Sequence, residues 1–461
     1  MKFACTTDVC LAPVPDLFLA MKARFSNLTL PSSYIPLIIV GVCIFAILLG
    51  MGIAAFDVEG KEYGIVLIVI LVIPVIITTD ERLLQFSFGG WILTMAAGPR
   101  AFYVTPALPI HVSEALAWLL FILVTVRDVA VHRNLRWQVP VSLTLFLAWV
   151  TFQAFVRPGN PNIESVIFEL KQYLIAIPVF GLVFHFVHSH NWRRYFWLLT
   201  ASGVVLVLSG LLVRSGSTGA ADISARLTVP GWVTVYAFFL VLLVGFVLAE
   251  FALAESRHKR VLVGIVLFVV LFGIYEAAYR GIWLATLAGL GIFALFHLVL
   301  GFPIIASAVF LAVLSPTVLK WRIALLEQGD TSAMKRQERL GYALDSFQQN
   351  PLFGLGTAAN VGVHNDIGQM LANGGLVAVG LFLYWYGQEI WRAIRSLRQP
   401  VHLLWLREHA IGALVMLVMA GIALVVESFF NTEYVTVAFW FALAMVGRLL
   451  ASDFLARNEN E

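Results

Sequence analysis

The chain has 461 residues, of which 60% are hydrophobic and only 12% are charged. Soluble domains carry about 25% charged residues, and a mean hydropathy of +0.89 leaves too few polar side chains to cover a soluble surface. These values exclude a soluble enzyme, a nucleic-acid-binding protein and a disordered scaffold. The net charge of +3 is small, so the positions of the charges matter more than their sum. The composition indicates an all-α polytopic membrane protein.

Apolar stretches that could form membrane spans recur along the chain, since a spanning helix needs about 20 apolar residues. The candidates lie at 35–55, 63–79, 84–98, 108–126, 139–156, 166–187, 195–213, 230–254, 261–279, 282–300, 302–316, 370–390, 409–427 and 434–450. The stretches at 84–98 and 302–316 are short, and the first of them suits a re-entrant segment. We therefore predict a helical bundle of about 12–14 transmembrane helices.

These spans divide the chain into five parts. Residues 1–34 are predicted to be a cytoplasmic N-terminal segment, without the features of a cleavable signal peptide, and residues 451–461 a cytoplasmic tail. Two transmembrane parts, 35–316 and 370–450, are separated by a long loop at 317–369.

The lysines and arginines predict the orientation of the bundle, because they accumulate in cytoplasmic loops. With a cytoplasmic N-terminus, the inward segments hold 18 of them and the short outward loops hold six. We therefore expect both termini in the cytoplasm and the long loop on the outward face.

Five ionisable residues fall within or at the edges of the predicted spans, all in the outward half: Glu114, Glu169, Lys171, Glu276 and Glu427. A charge at the bilayer centre costs about 2.5–3.5 kcal/mol on insertion scales, so such residues commonly mark a site or a water-filled cavity. Singly, each is also explained as an interfacial side chain that reaches the headgroups. Because all five lie in the outward half of their spans, we predict a polar centre near the outer membrane–water boundary.

The outward loop 317–369 has the pattern of an ordered segment. Residues 320–326 have the spacing of a short amphipathic helix on the membrane surface, and a second, capped helix is predicted over 331–349. The Asn-Pro pair at 350–351 ends that helix, and the Gly-Leu-Gly sequence at 354–356 predicts a turn. Ordered loops of this length are usually functional.

The outward side chains include bases and cations, but no cysteine nucleophile and no phosphate-binding glycine loop. The candidate bases are His364, Asp366, Glu276, Glu427, Glu433, Asp57 and Glu59. The candidate anion ligands are Arg226, Arg280, Arg336 and Arg339, with Lys171 behind them. A neutral imidazole accepts a proton from a hydroxyl near neutral pH, and guanidinium groups bind phosphate oxygens bidentately.

Each of these residues also has a structural explanation, as an interfacial histidine, a snorkelling arginine or a solvated acidic turn. As a set, they suit transfer of a group from an anionic lipid carrier whose diphosphate leaves. The sequence has no ATP-hydrolysing module, so the energy would come from the substrate or from an ion gradient.

Several motifs lie between residues 338 and 385. They are Glu-Arg-Leu at 338–340, Asn-Pro-Leu-Phe-Gly-Leu-Gly at 350–356, His-Asn at 364–365 and a glycine pair at 374–375. This run closely resembles the signature of the O-antigen ligase and polymerase family of bacterial membrane glycosyltransferases.

The resemblance is looser over 220–300. There, Arg280-Gly281 is similar to the Ser-Arg-Gly element of that family, with Tyr279 in place of the serine, and Arg226 occupies the place of the first functional arginine. Elsewhere the resemblance is only topological.

The resemblance implies a transferase at the periplasmic face of the bacterial inner membrane. The donor would be a glycan on undecaprenyl diphosphate. The acceptor would be a sugar hydroxyl on lipid A–core (a ligase), on a second lipid-linked repeat (a polymerase), or a protein hydroxyl. The implied reaction is metal-independent, uses no cofactor and inverts the anomeric carbon.

The resemblance also implies roles for individual residues. His364 would be the general base that activates the acceptor hydroxyl. Arg226 and Arg280 would bind the diphosphate and stabilise its charge as it leaves, with help from Arg339. The supporting residues would be Asn365, Lys171 and Glu276.

Two other functions fit parts of the sequence. A secondary transporter or lipid-linked glycan flippase is compatible with the span count, although we find no internal repeat and the ionisable groups lie to one side rather than at the midplane. A metal-dependent transferase that uses Asp57 and Glu59 is the alternative within the enzyme class.

Overall fold

The computed structural model describes residues 81–95, 111–132, 139–157, 163–216, 233–277, 279–314, 331–357, 365–398, 404–426, 429–430 and 433–451. Within these ranges the chain is all-helical and contains no strands. The helices are α1 Glu81–Thr94, α2 Val112–His132, α3 Val141–Val156, α4 Ile163–Leu174, α5 Ala176–Phe186, α6 Trp192–Gly216, α7 Val233–Ala252, α8 Arg257–Glu276, α9 Arg280–Phe296, α10 Leu298–Leu314, α11 Thr331–Gln349, α12 Asp366–Ser396, α13 Leu404–Val426 and α14 Glu433–Leu449.

Every predicted apolar stretch from 84–98 onward overlaps a helix of this set. The stretch 139–156 corresponds to α3, and 166–187 corresponds to α4 and α5, which meet at Ile175. The stretches 35–55 and 63–79 lie outside the described residues, as do the segment 1–34 and the short helix predicted at 320–326.

Four of the described helical segments are long and apolar enough to cross a membrane: Ile163–Phe186, Arg257–Glu276, Asp366–Ser396 and Leu404–Val426. The apolar parts of α3, α7, α9, α10 and α14 are shorter. This architecture is compatible with a helical membrane bundle.

The outer faces of the helices are apolar as well as their buried faces. In α8, Val261, Ile265 and Phe268 are all more than half exposed, and their spacing places them on one side of the helix. A soluble helix would carry polar residues on such a face. The exposed stripe is what a lipid-facing helix requires.

Helices α7, α13 and α14 contribute most to the core, since almost all of their described side chains are buried. Helices α7 and α13 approach most closely at Gly245 and Gly412, where a Cβ atom on either residue would overlap the backbone oxygen of the other. Small residues allow this close backbone approach between membrane helices.

Short connections join α7 to α8, α8 to α9 and α9 to α10, so these neighbours run antiparallel. We call the end of the bundle where α8 ends and where α9 and α12 begin the motif end, since it carries residues 350–357 and 365–366. The opposite end is where α7 ends and α13 begins.

The helix predicted over 331–349 is confirmed as α11. It ends before Asn350 and Pro351, as predicted, and it packs against α12. Its position brings the Gly-Leu-Gly turn at 354–356 to the motif end of α12.

Candidate functional site

Helix α12 was predicted as one span, and the structure shows that it is interrupted at Gly375. This residue has φ 66° and ψ −166°, a backbone conformation that is essentially restricted to glycine. The interruption separates a short outer segment, 366–374, from the long remainder of the helix. The outer segment is the one that begins next to the His-Asn motif.

The turn at 351–356 provides the hydrogen bonds that the interrupted helix loses. The N–H groups of Leu355 and Gly356 donate to the carbonyls of Ala372 and Asn373, both at 2.9 Å. In return, the N–H groups of Leu376 and Val377 donate to the carbonyls of residues 351 and 352, at 2.9 and 3.2 Å. Because unpaired backbone groups are costly in a membrane, this exchange explains how the helix tolerates the break.

The glycines of the two motifs are required by this contact. Gly354 and Gly356 have positive φ angles of 68° and 107°, which L side chains rarely adopt. A Cβ atom at Gly354 would overlap the Asn373 carbonyl, and one at Gly375 would overlap the Leu352 carbonyl. The glycines at both positions therefore have a structural reason that is independent of catalysis.

Two side chains of α3 hold the turn in place. Gln153 donates its Nε2 to the Phe353 carbonyl at 2.6 Å, and Trp149 donates its Nε1 to the Gly374 carbonyl at 3.4 Å. The rings of Trp149 and Phe353 lie 5.6 Å apart. The turn is thus attached to the end of α3 as well as to α12.

A buried polar pair lies next to the interruption of α12. Asn373 donates its Nδ2 to both carboxylate oxygens of Glu169 on α4, each at 2.9 Å. Both side chains are buried, and the hydroxyl of Tyr173, one turn along α4, lies within electrostatic reach of Glu169 and of Asp366.

The start of α12 is attached to the junction between α13 and α14. The Asp366 carboxylate accepts hydrogen bonds from the N–H groups of Phe429, at 2.6 Å, and Phe430, at 3.2 Å. Asn365 caps the helix by accepting a hydrogen bond from the Gly368 N–H. Asp366 was a candidate base, but in the structure it is buried and both of its oxygens bind backbone.

Aromatic contacts connect this junction with the start of α9. The Phe429 ring lies 4.7 Å from that of Phe238 on α7, and the Phe238 ring lies 5.8 Å from that of Tyr279. Tyr279 directly precedes Arg280, and Asp366 comes two residues after His364. An unbroken series of contacts at the motif end therefore joins the neighbours of these two candidate residues.

The predicted site residues fall into three groups. Arg226 and His364 lie outside the described residues, as do Glu427, Asp57 and Glu59. Arg280 begins α9 and Asn365 caps α12, both at the motif end. Arg339 lies on α11 and is partly buried, and Glu276 ends α8 and is buried.

Lys171 was predicted to lie behind the arginines, and it has a carboxylate partner. Its Nζ lies 3.2 Å from Glu114 Oε2 and 5.1 Å from the centre of the Phe168 ring. Part of its charge is therefore balanced within the protein, which suits a supporting role better than direct binding of an anion.

A second polar cluster lies at the opposite end of the bundle, and no sequence motif indicates it. His409 is fully buried and places its Nε2 3.0 Å from Glu250 Oε1, which also lies 3.3 Å from Arg193 Nε. The preceding residue, Glu408, lies 2.6 Å from His297 Nε2. Histidines and glutamates near span ends carry no distinctive signal, so only the structure relates them.

No protein-family model matches the chain, and no curated protein matches it significantly. The motif resemblance, and what it implies about activity, is accordingly a proposal.

Proposed function

We propose that the chain is a membrane glycosyltransferase of the O-antigen ligase or polymerase type. It would transfer a glycan from undecaprenyl diphosphate to an acceptor hydroxyl at the periplasmic face of the bacterial inner membrane. The acceptor class is a lipid A–core sugar, a second lipid-linked repeat or a protein hydroxyl.

One observation carries this proposal. Contacts from Tyr279 through Phe238 and Phe429 to Asp366 connect the positions next to Arg280 and His364. Arg280 and His364 are 84 residues apart in the sequence, and contacts between the residues that flank them lie at one end of the bundle. The proposed reaction needs a base and cations in the same active site.

In the proposed reaction, His364 takes the proton of the acceptor hydroxyl while that oxygen attacks the anomeric carbon. The bond between this carbon and the diphosphate oxygen breaks, and the diphosphate leaves with the bonding electrons. Arg226 and Arg280 bind the leaving group and stabilise its developing charge, with Arg339 assisting. Asn365, Lys171 and Glu276 support the site.

The proposal includes a topology. About 12–14 spans would cross the membrane, both termini would be cytoplasmic, and the loop 317–369 would lie in the periplasm beside the site. The basic residues of the predicted inward segments support this orientation.

The interruption of α12 favours the alternative function, a secondary transporter or lipid-linked glycan flippase. Discontinuous helices in transporters present free backbone groups to an ion or substrate. Here the turn 351–356 already binds the groups at the break, which leaves less for a transported ligand. We therefore favour the transferase.

The decisive experiment mixes purified protein with a polyprenyl-diphosphate glycan, with and without a lipid A–core acceptor. A ladder of longer glycans without the acceptor identifies a polymerase, and a single conjugate that needs the acceptor identifies a ligase. Movement of the donor across vesicle membranes without a new glycosidic bond would instead identify the transporter.

Two variants test the assigned residues, and a third serves as a control. His364→Ala should lower the transfer rate by about 10²–10⁴-fold, the usual contribution of a positioned base, and Arg280→Ala should abolish transfer. Arg257→Ala removes an exposed arginine at the opposite end and should leave the rate unchanged. A wild-type transfer rate in His364→Ala would show that His364 is not the base.

A further inference from the structure

Helix α11 has an apolar flank that remains open to its surroundings. Leu340 and Leu344 are 43% and 44% exposed. At 100° per residue, these two side chains and Phe347 cover about 60° of the helix surface. The flank is too narrow and too exposed to be part of the protein core.

The other two sides of α11 have different surroundings. Ala343 packs against Ala372 of α12 on the buried side. On the polar side, Glu338 accepts a hydrogen bond from the exposed Tyr342 hydroxyl at 3.1 Å, and this carboxylate raises the pKa of Tyr342. The apolar flank thus lies between a protein-facing side and a water-facing side.

The turn that follows α11 adds two exposed apolar residues. Leu352 and Phe353 are both about half exposed, although Gln153 and Trp149 of α3 fix the backbone and ring of Phe353. We call Leu340, Leu344, Leu352 and Phe353 the apolar collar. Two of its members belong to the turn 351–356, here called the motif turn, which is bound to the end of α3.

Helix α3, to which the motif turn is bound, carries an exposed apolar stripe. Val141, Leu145, Phe152 and Phe155 are 75%, 51%, 54% and 80% exposed, and at 100° per residue they form one stripe along the whole helix. An uninterrupted apolar stripe on a helix of this kind faces acyl chains. The collar lies where this stripe ends.

A cation marks the level at which the stripe ends. Arg157 follows α3 and is exposed, and the Asn350 side chain, oriented with its oxygen toward Arg157, accepts a hydrogen bond from the guanidinium. Arginine beside the last apolar turn of a span is typical of the phosphate level of a bilayer. Asn350 ties the start of the motif turn to that level.

We infer that α11 and the motif turn lie on the membrane surface, with the apolar collar inserted at the headgroup–acyl boundary. The partner of this surface is phospholipid, in the leaflet that Phe155 reaches. Amphipathic helices insert by about 5–10 Å in this way. The contact would hold the motif end of α12 at headgroup depth, and it does not depend on the proposed transferase activity.

The test uses the full chain with Cys5, Cys10 and Cys43 replaced by serine, in vesicles of phosphatidylglycerol and phosphatidylcholine. Single cysteines replace Leu340, Leu344 or Phe353 on the collar, and Asp345 or Tyr342 on the exposed polar side as matched controls. Each cysteine carries an environment-sensitive fluorophore, and quenching is measured with aqueous iodide and with phosphatidylcholine brominated along its acyl chains.

The collar probes should lose iodide quenching and be quenched most strongly by bromines about 5–10 Å below the headgroups, while the control probes should show the reverse. Equal iodide quenching at all five positions would overturn the inference. Protection of the collar probes from both quenchers, with disulfide formation between copies of the unlabelled single-cysteine variants, would overturn it in favour of self-association. An unchanged thermal unfolding midpoint verifies that each labelled variant is folded.

Discussion

Asn373 donates one amide nitrogen to both carboxylate oxygens of Glu169, across 204 positions of sequence. The pair sits directly beside the interruption of α12 and fixes its outer segment to α4. The carboxylate is buried, and the amide hydrogens contribute substantially to its stabilisation. The position of the outer segment of α12 therefore depends on a neutral donor.

Replacing that donor by an acceptor should destabilise the fold. Asn373→Asp would place two carboxylates face to face, and leaving a buried charged group unpaired costs about 3 kcal/mol or more. The free energy of unfolding in mixed micelles measures this loss. The double variant Glu169→Gln/Asn373→Asp restores a donor–acceptor pair and should recover part of it. A double variant no more stable than Asn373→Asp would contradict the assigned pairing.

The conformation of Gly375 predicts a second effect. Gly375→Ala should lower the free energy of unfolding by about 1–3 kcal/mol from backbone strain alone, with an additional loss from the overlap with the Leu352 carbonyl. Gly380 on the same helix has no atom within 4 Å of an added Cβ. Gly380→Ala should be neutral or stabilising by about 0.5–1 kcal/mol. Equal effects of the two substitutions would show that the break is not required.

The contact between α7 and α13 predicts a third effect. Gly412→Ala forces a methyl group against the Gly245 carbonyl, and overpacking of this kind costs about 1–3 kcal/mol. Gly291→Ala on α9, where an added Cβ meets open space, is the control. Thermal unfolding midpoints of the two variants in the same detergent compare them. A midpoint for Gly412→Ala at or above the wild-type value would mean that the helices are farther apart.

The cluster at the opposite end predicts a fourth effect. Glu250→Gln removes the charge shared with His409 and Arg193, and the loss of this partly buried charged acceptor costs about 1–3 kcal/mol. Glu255→Gln changes an exposed glutamate three residues beyond the end of α7 and should have no measurable effect. Both are measured as free energies of unfolding at neutral pH. Indistinguishable values for the two variants would exclude a stabilising role for this cluster.

Apolar length was sufficient to predict the helices, because each one depends mainly on its own run of residues. The boundaries of α3 and α11 lie close to the expected ones, since Pro140 and the Asn350-Pro351 pair act locally. The interruption of α12 was not predicted. A glycine pair inside an apolar run is tolerated in many helices, and the break exists here because a turn about 20 residues earlier binds it.

The sequence indicates which residues share an end of the bundle but not their contacts. The motifs predict that Asn365 and the start of α9 lie at one end, and the structure places both at the motif end; a site at that end stays a prediction. The partners of Asp366 and Lys171 are 63 and 57 positions away in sequence, and no local pattern encodes such distances. Asn373 had only one signal, its place before the glycine pair.

The hydrogen bonds between the turn 351–356 and the interruption of α12 have a consequence for biogenesis. Ribosomes make the Pro-Leu-Phe-Gly turn before residues 366–377, so its donors and acceptors already exist when the discontinuous span reaches the translocon. If the turn followed the interrupted helix in the sequence, the backbone N–H and C=O groups at the interruption would have no hydrogen-bond partners in the bilayer until the turn was synthesised. The order of the two motifs along the polypeptide thus favours productive insertion.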